Sequence, residues 1–399
     1  MPLRSLQALC LLSFFMADVR DGLGPFLGIF LTQQHWAPGE IGFIMTLGGV
    51  AGLLATIPAG LITDSSHHKR QMLLFGCVMI TSATLLLWFN QSPWVTGISQ
   101  IINGIAAAFI GPILTGLTLG LTGQNGFKQQ MGKNEAFNHA GNMAAATIAG
   151  ISVWYWGIGS IFILMTAMAF LSALAIMGIR ENDINHKAAR GIDSNVTRKP
   201  ISWSSLLINH SSLMTIGVTL LLFHLGNAAL LPMLSIRVAS EPSSVNPGLY
   251  AAATVIISQA VMIPVALWTA GRAERLSYRQ LIMIALLILP IRAALAATFS
   301  SPYSVIPVQI LDGVSAGILG VAVPGYIVKE LQGSGHINAG QSIVMFMQGV
   351  GATASPALTG IMVGMYSYST AFSALGAVAL LALLIWWQTN RSIDSSVTR

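Results

Sequence analysis

The feature that most restricts the fold of this chain is a series of twelve apolar segments, each about as long as a bilayer-spanning helix. A spanning helix needs about 20 apolar residues and makes its backbone hydrogen bonds within the segment. The runs are continuous rather than alternating, which excludes the strands of a membrane barrel. They cover residues 7–31, 41–63, 71–89, 96–121, 136–155, 158–179, 209–236, 248–270, 280–299, 304–328, 338–364 and 369–388. The sequence therefore predicts an all-α integral membrane protein with twelve transmembrane helices.

Composition supports this class. Hydrophobic residues make up 54% of the chain and charged residues only 8%, whereas soluble domains carry about 25% charged residues. Arg4 followed by an apolar run resembles the start of a signal peptide, but no small-residue cleavage site follows. We therefore interpret the first segment as a transmembrane helix.

Two of the segments look like copies of one another, and the positions that they share are polar. Residues 100–104 read Gln-Ile-Ile-Asn-Gly, and residues 309–313 read Gln-Ile-Leu-Asp-Gly. A polar or charged side chain in hydrocarbon is costly unless it faces a partner or water. Asp18 and Asn227, in the first and seventh segments, are separated by the same interval as the two glutamines. The pattern indicates a duplicated membrane protein with polar sites at equivalent places.

A polar stretch divides the chain into two halves. We predict an N-terminal six-helix bundle at 1–180, a cytoplasmic linker at 181–205, a pseudo-symmetric C-terminal six-helix bundle at 206–390 and a cytoplasmic tail at 391–399. Such an arrangement has internal repeats with a site near the membrane midplane.

Basic residues are distributed unequally over the predicted connections. With the N-terminus inside, all of the 19 Lys and Arg residues except Arg20, Arg237 and Arg292 fall on the inner side. This is the positive-inside pattern, so we expect a multi-pass protein of a bacterial cytoplasmic (inner) membrane with both termini cytoplasmic. The net charge of +6 follows from this topology and does not indicate a nucleic-acid partner.

The sequence indicates no metal centre, no cofactor and no catalytic residues. Cys10 and Cys77 fall in apolar segments, where buried thiols are favoured over a disulfide. His67 and His68 are adjacent and lack the helical spacing of metal ligands. No nucleophile–base set or phosphate loop is recognisable, so we do not expect an enzyme.

The connection between the second and third segments carries a recognisable motif. Residues 60–70 read Gly-Leu-Ile-Thr-Asp-Ser-Ser-His-His-Lys-Arg. The positions that match the pattern of a glycine, an acid four residues later and a basic cluster are Gly60, Asp64, Lys69 and Arg70. In this pattern, and in its two sets of six segments, the chain resembles the major facilitator superfamily.

The resemblance implies a major facilitator fold in which helices 1, 4, 7 and 10 line a central cavity. It also implies that Gly60, Asp64, Lys69 and Arg70 act in gating. A carboxylate at a helix end can pair with cations or with a helix N-terminus of the other repeat and latch the inner gate. The alternative is a solvated turn. The fourth segment resembles the family's Arg-x-x-Gln-Gly motif, with Gln100 and Asn103 in place of its Arg and Gln.

Three charged residues lie near the middle of the first segment: Asp18, Arg20 and Asp21. Asp18 and Asp21 are three residues apart and share a helix face. A carboxylate in a poorly hydrated cavity can exchange protons near neutral pH. We therefore expect the cluster to bind substrate, a proton, or both. The alternative is an Asp–Arg pair that joins the first helix to a neighbour.

Asp312 is the acid of the second half. It either faces the cavity or pairs with Arg292 in the ninth segment, in which case it stays ionised and is a poor proton carrier. His224 is either a proton acceptor or a core histidine. The other residues expected to bind substrate or protons are Gln100, Asn103, Asn142, Asn227 and Gln309.

Together these features predict a secondary active transporter of a small polar or amphiphilic solute, working by alternating access and coupled to protons. Arg20 and Arg292 suggest an anionic solute. An importer of a carboxylate or siderophore-like solute is an alternative to an exporter. A non-transporting membrane sensor on the same fold is an alternative of another class. We expect the chain to function as a monomer in the lipid bilayer.

Overall fold

The computed structural model describes residues 3–20, 23, 26–36, 38–192, 211–240, 247–272 and 275–397. Asp21, a predicted site residue, lies outside these residues, as does the rest of the predicted linker beyond residue 192. The described part of the chain is helical and contains no β-strand. The predicted all-α membrane class is confirmed.

The described residues of the first half form six α-helices. They are α1 (Leu3–Arg20), α2 (Phe26–Gln33), α3 (Pro38–Ser65), α4 (Lys69–Phe89), α5 (Pro93–Trp156) and α6 (Ser160–Gly178). Short 3₁₀ turns at Glu181–Asp183 and Ala188–Arg190 follow α6.

The part of the second half that the structure describes forms seven α-helices. They are α7 (Ser211–Asn227), α8 (Leu230–Ser240), α9 (Pro247–Arg272), α10 (Tyr278–Thr298), α11 (Val305–Glu330), α12 (Ile337–Met365) and α13 (Tyr368–Val397). Among the described residues, nine helices are long and apolar enough to cross a membrane. In this count α5 is one helix, and α7 is counted together with the start of α8 as Ser211–Leu234.

The chain forms two compact units. Unit 1 comprises Met1–Ile201 together with Leu331–Ser342, and unit 2 comprises Ser202–Glu330 together with Ile343–Arg399. The first residues of α12 thus belong to unit 1, although the rest of that helix belongs to unit 2. A short segment from the second half of the sequence therefore packs as part of the first unit.

Helix α5 differs from the prediction in one respect. Residues 122–135, interpreted as a connection between two spans, are helical except at Gly123, whose φ of 62° interrupts the helix. A positive φ is accessible to glycine without steric strain. Gly123 therefore divides α5 into a first arm (93–122) and a second arm (124–156).

Hydrogen bonds of polar side chains explain why the second arm is helical from residue 124, before the start of the predicted span at residue 136. Gln130 donates to the Asn134 Oδ1 atom at 2.9 Å and to the Cys10 sulfur at 3.2 Å. Asn134 donates to the Thr118 hydroxyl at 2.9 Å. All four residues are buried. Because these amides bind one another and α1, low hydropathy here marks a polar contact between helices rather than a loop.

The core of unit 1 forms where α1 meets the first arm of α5. Leu9, Leu12 and Met16 recur on one face of α1 and are fully buried. They belong to one apolar cluster with Ile113 and Leu117 of the first arm. The packing of these two helices positions the polar residues at the far end of α1.

Candidate functional site

The first predicted helix of each half is divided in two. The segments 7–31 and 209–236 are predicted as continuous spans, but Leu23 lies in a turn between α1 and α2, and α7 ends at Asn227 before α8 begins. Pro232 lies in the first turn of α8 and has no N–H with which to continue a helix from residue 228. Interrupted helices at membrane depth occur where backbone is buried in protein or lines a cavity.

Ser355 of α12 binds the interruption in unit 2 from the side. Its hydroxyl donates to the carbonyl of Leu225 at 2.6 Å and accepts the N–H of Ala229 at 3.1 Å. Ser355 is fully buried. One hydroxyl therefore satisfies two backbone groups that the break in the helix releases.

In each unit, a glycine permits another helix to pack closely against the divided helix. A Cβ on Gly351 of α12 would collide with the carbonyl of Leu221 in α7. A Cβ on Gly141 of the second arm of α5 would likewise collide with the carbonyl of Phe14 in α1. The two repeats share this backbone contact.

An ion pair lies behind the break in unit 2. Arg292 of α10 contacts the Asp312 carboxylate at 2.8 Å, donates to the Val308 carbonyl at 3.2 Å and donates to the Asn227 side-chain oxygen. Arg292 is 1% exposed and Asp312 is 8% exposed. Of the two alternatives for Asp312, the structure shows the pairing with Arg292. The guanidinium of Arg292 therefore holds Asp312 and Asn227 together behind the break.

Gln309 lies one helical turn before Asp312 on the same face of α11. The residue is 0% exposed, and neither its side-chain nitrogen nor its oxygen has a hydrogen-bond partner. Most buried polar side chains are hydrogen-bonded, so an amide with both groups unpaired is unusual. His224 is half-buried one turn before Asn227.

In unit 1, the polar residues of the first arm of α5 sit at close helix contacts. Asn103 donates to the Thr84 hydroxyl at 3.4 Å, and its buried oxygen has no partner. Gln100 is half-buried, and its backbone carbonyl lies 3.0 Å from where a Cβ on Gly48 would stand. Asn142 is half-buried on the second arm.

Charged residues at the end of α1 have a neighbour that the sequence interpretation missed. Asp18 is half-buried and Arg20 is exposed, and each interacts with another part of the protein. Arg20 interacts electrostatically with Glu135 of the second arm of α5. Glu135 lies 3.8 Å from His139. The spacing of Glu135 and His139, four residues apart, indicated one helix face, but Glu135 fell in a stretch that the sequence interpretation assigned to a connection.

Asp64 of the sequence motif binds the start of α12. One carboxylate oxygen accepts the Asn338 backbone N–H at 3.2 Å and its side-chain N–H at 2.7 Å, and the other accepts the Ala339 N–H at 2.8 Å. Asp64 is 2% exposed. Free N–H groups and the positive end of the helix dipole make a helix N-terminus a strong site for a carboxylate. Asp64 therefore caps α12.

The other gating candidates have separate partners. A Cβ on Gly60 would lie 2.6 Å from the Asn338 carbonyl oxygen, so glycine permits the close approach of α3 to this segment. Lys69 is 1% exposed and donates to the Ser66 carbonyl at 2.8 Å. Arg70 pairs with Glu181 at 3.0 Å. Within the described residues, neither cation lies within 4 Å of the Asp64 carboxylate.

The first part of the linker, residues 181–192, contacts the segment around the start of α12; we call it the linker strap. Asn338 donates to the Ala189 carbonyl at 3.0 Å, and Gly333 donates to the Gly191 carbonyl at 2.6 Å. At the other end of the strap, Ser5 donates to Asp183 at 2.5 Å. The Asn338 side chain thus joins Asp64 to the linker strap.

His186 lies in the linker strap, outside the spans. Its ring nitrogen lies 3.4 Å from Glu181, and its ring centroid lies 5.1 Å from that of His67. Burial lowers the pKa of His186, and the nearby Glu181 carboxylate only partly opposes this. The imidazole is therefore predominantly neutral at pH 7.

Sequence comparison identifies the relatives of this chain. The sequence profile described as Major Facilitator Superfamily matches residues 9–332. Two uncharacterized MFS-type transporters, from two strains of Mycobacterium tuberculosis, are each 33% identical over 400 residues, covering 99% of this chain and 96% of each relative.

Structure comparison finds the same fold. The crystal structure of FucP, a Major Facilitator Superfamily transporter, in the outward conformation matches with a TM-score of 0.76 at 13% identity, covering 96% of this chain and 97% of that one. The human organic anion transporter MFSD10 matches with a TM-score of 0.74 at 13% identity, covering 97% of this chain and 100% of that one. At this identity the similarity concerns the fold alone.

Proposed function

This chain belongs to the major facilitator superfamily, and we propose that it is a secondary active transporter of a small polar solute that works by alternating access. The observation that carries this proposal is the division of the first helix in each repeat at the positions of polar residues. In secondary transporters, interrupted helices bind substrate and coupling ions near the membrane midplane.

We propose separate tasks for the polar residues of the two units. In unit 1, Asp18 and Asp21 bind the coupling proton with Arg20 beside them, and Gln100, Asn103 and Asn142 bind solute. In unit 2, solute is bound by His224, Asn227 and Gln309. Asp312 holds Arg292 and Asn227 in place, because its carboxylate already has a cationic partner.

We place the gating function at Asp64. Three N–H groups at the start of α12 bind its carboxylate, and Gly60 permits the close approach of the same segment. Breaking these hydrogen bonds would release the segment from unit 1. A latch of this kind is a two-state element that transport can open and close.

We also propose a membrane, an orientation and an oligomeric state for the chain. The chain resides in a bacterial cytoplasmic membrane with both termini inside, in keeping with the distribution of Lys and Arg. It acts as a monomer, uses no cofactor and is not an enzyme. Export and import are distinguished by the experiment below. Family membership gives the non-transporting sensor no support.

The test is comparative metabolomics of cells that lack or overproduce the chain, inside and outside, with and without a protonophore. A solute that moves outward with expression, and stops when the proton gradient collapses, would establish a proton-coupled exporter. Accumulation inside under the same conditions would establish an importer. No expression-dependent solute in rich medium or in medium supplemented with cell extract would contradict transport.

A pair of matched variants connects that result to the site. Asp18→Asn removes the proposed proton carrier and should reduce the solute gradient at least tenfold at equal protein level. Glu330→Gln makes the same chemical change in a partly exposed pair with Arg279, which contributes little, and should leave the gradient unchanged. Equal gradients in both variants would remove Asp18 from the mechanism.

A further inference from the structure

The two charges in the middle of the candidate spans of unit 2 cancel each other. Within the candidate spans of the described part of unit 2, the only charged residues more than one turn from a span end are Arg292 and Asp312. They contact one another at 2.8 Å. A compact pair of opposite charges has no net charge with which to attract an ionic solute, so Arg292 gives no support to an anionic ligand in this unit.

The polar group next to this ion pair on α11 is uncharged. Gln309 is fully buried and has an unpaired donor and an unpaired acceptor on the same amide. A buried amide without partners is destabilising, because it has lost its hydrogen bonds to water. A solute that reaches Gln309 during the transport cycle would supply the missing hydrogen bonds.

The chemistry of the missing partner follows from the amide. The amide carries two N–H donors and one C=O acceptor. A hydroxyl or another amide can serve both kinds of group, because each of them donates and accepts. A carboxylate accepts only and would leave the Gln309 oxygen unpaired, and an ammonium group donates only and would leave its nitrogen unpaired.

We infer that unit 2 binds an uncharged hydroxyl or amide group of the solute through Gln309, an inference that rests on the proposed transport function. Arg292 then acts as a positioning residue. Its guanidinium holds Asn227 at the helix break and Asp312 one turn from Gln309. The ion pair organises the site without adding net charge to it.

The test compares wild type with Gln309→Leu and with a matched control. Leucine is apolar and similar in size to glutamine, and Gln388→Leu makes the same change at an exposed position at the end of a span. Each purified protein is incubated at pH 7 with a small-molecule extract of cells, and the retained compounds are identified by mass spectrometry. Compounds retained by wild type and Gln388→Leu, but at least tenfold less by Gln309→Leu, should carry hydroxyl or amide groups and no carboxylate as their common feature.

Two results would overturn the inference. One is a set of Gln309-dependent compounds whose common feature is a carboxylate or an ammonium group. The other is the absence of any compound that depends on Gln309. The melting temperature without ligand provides a second criterion, because removing an unpaired amide should raise it. A lower melting temperature for Gln309→Leu would mean that Gln309 is bonded within the protein or to fixed water, which contradicts a ligand role.

Transport is measured separately, so that the two proposals fail in different ways. If wild type retains such compounds through Gln309 but moves none of them across the membrane, the proposed transport function fails and the binding inference stands. If Gln309→Leu transports the wild-type solute at the wild-type rate, the inference fails and the transport function stands.

Discussion

Asp64 and Asn338 are joined by two hydrogen bonds to one carboxylate oxygen, from the backbone and from the side chain of Asn338. They are 274 residues apart in the sequence. The same side chain of Asn338 binds the linker strap. One buried contact therefore connects the end of α3, the start of α12 and the linker between the two halves.

Replacing Asp64 should release the start of α12. Charge-assisted hydrogen bonds contribute about 1.5–3 kcal/mol each, so Asp64→Ala should accelerate amide hydrogen exchange in residues 337–342 at least tenfold. Asp64→Asn keeps one acceptor oxygen and should show a smaller acceleration. Exchange at the wild-type rate in Asp64→Ala would contradict a latch at this position.

Substitutions of Asn338 test whether the linker strap and the start of α12 open together. Asn338→Asp places a second carboxylate beside Asp64 and removes the donor to Ala189, so it should accelerate exchange in residues 185–192 and 337–342 together. Asn338→Ala removes the donor without adding a charge and should have the weaker effect. Acceleration in only one of the two segments would show that they open independently.

The pair of Arg292 and Asp312 should behave as a buried ion pair. Removing one partner leaves an uncompensated buried charge and costs about 3–5 kcal/mol, whereas replacing both by apolar residues is nearly neutral. Thermal unfolding of Asp312→Leu, Arg292→Leu and the double variant should show that the double variant is more stable than either single one. Additive losses would mean that the two groups do not interact.

The contact of Gly351 with α7 should not tolerate a side chain. Gly351→Ala forces a Cβ against the Leu221 carbonyl and should lower stability by about 1–3 kcal/mol. Gly364 lies in the last turn of the same helix, and a Cβ added there would have no atom within 4 Å, so Gly364→Ala should leave stability unchanged. Gly351→Ala should therefore lower the melting temperature whereas Gly364→Ala should not, and equal melting temperatures in the two variants would contradict the close approach.

Acid should weaken the attachment of the linker strap. The pKa of His186 is lowered when the strap is docked, so the released strap binds more protons than the docked one. Docking is therefore strongest above about pH 6.5, the ordinary histidine value, and is lost progressively as the pH falls below it. Exchange in residues 185–192, corrected for intrinsic rates, should increase between pH 7 and pH 5 in wild type but not in His186→Gln.

The helical segments were predictable from the sequence because a membrane span is a long apolar run, which local composition is sufficient to recognise. The sequence did not predict the breaks before α2 and α8, because hydropathy averages over a window and does not register the loss of one backbone bond at Pro232. It also missed Glu135, because a polar run in a helix has the same composition as a loop. The spacing of Gln130 and Asn134, four residues apart, was the signal for one helical face.

The contacts of the site depend on packing between distant helices, which local pattern does not encode. Arg292 was recognised as an alternative partner for Asp312, but only the approach of α10 to α11 decides between that pairing and a cavity position. Asn338 carried no signal at all, since an asparagine near a helix start is a common residue in turns and caps. The motif identified Asp64, and the fold identified what Asp64 binds.

Ser355 makes a hydrogen-bonded contact at the helix break of the second repeat that the first repeat lacks at the equivalent position. Gly141 and Gly351 occupy equivalent contacts, but four residues further along the first repeat has Ala145, which has no hydroxyl to offer α1, where the second repeat has Ser355. The hydroxyl of Ser355 ties α12 to the break in the second repeat, and Ala145 gives the first repeat no counterpart of this bond. Any change in the angle between α7 and α8 would therefore have to move α12 or break that bond.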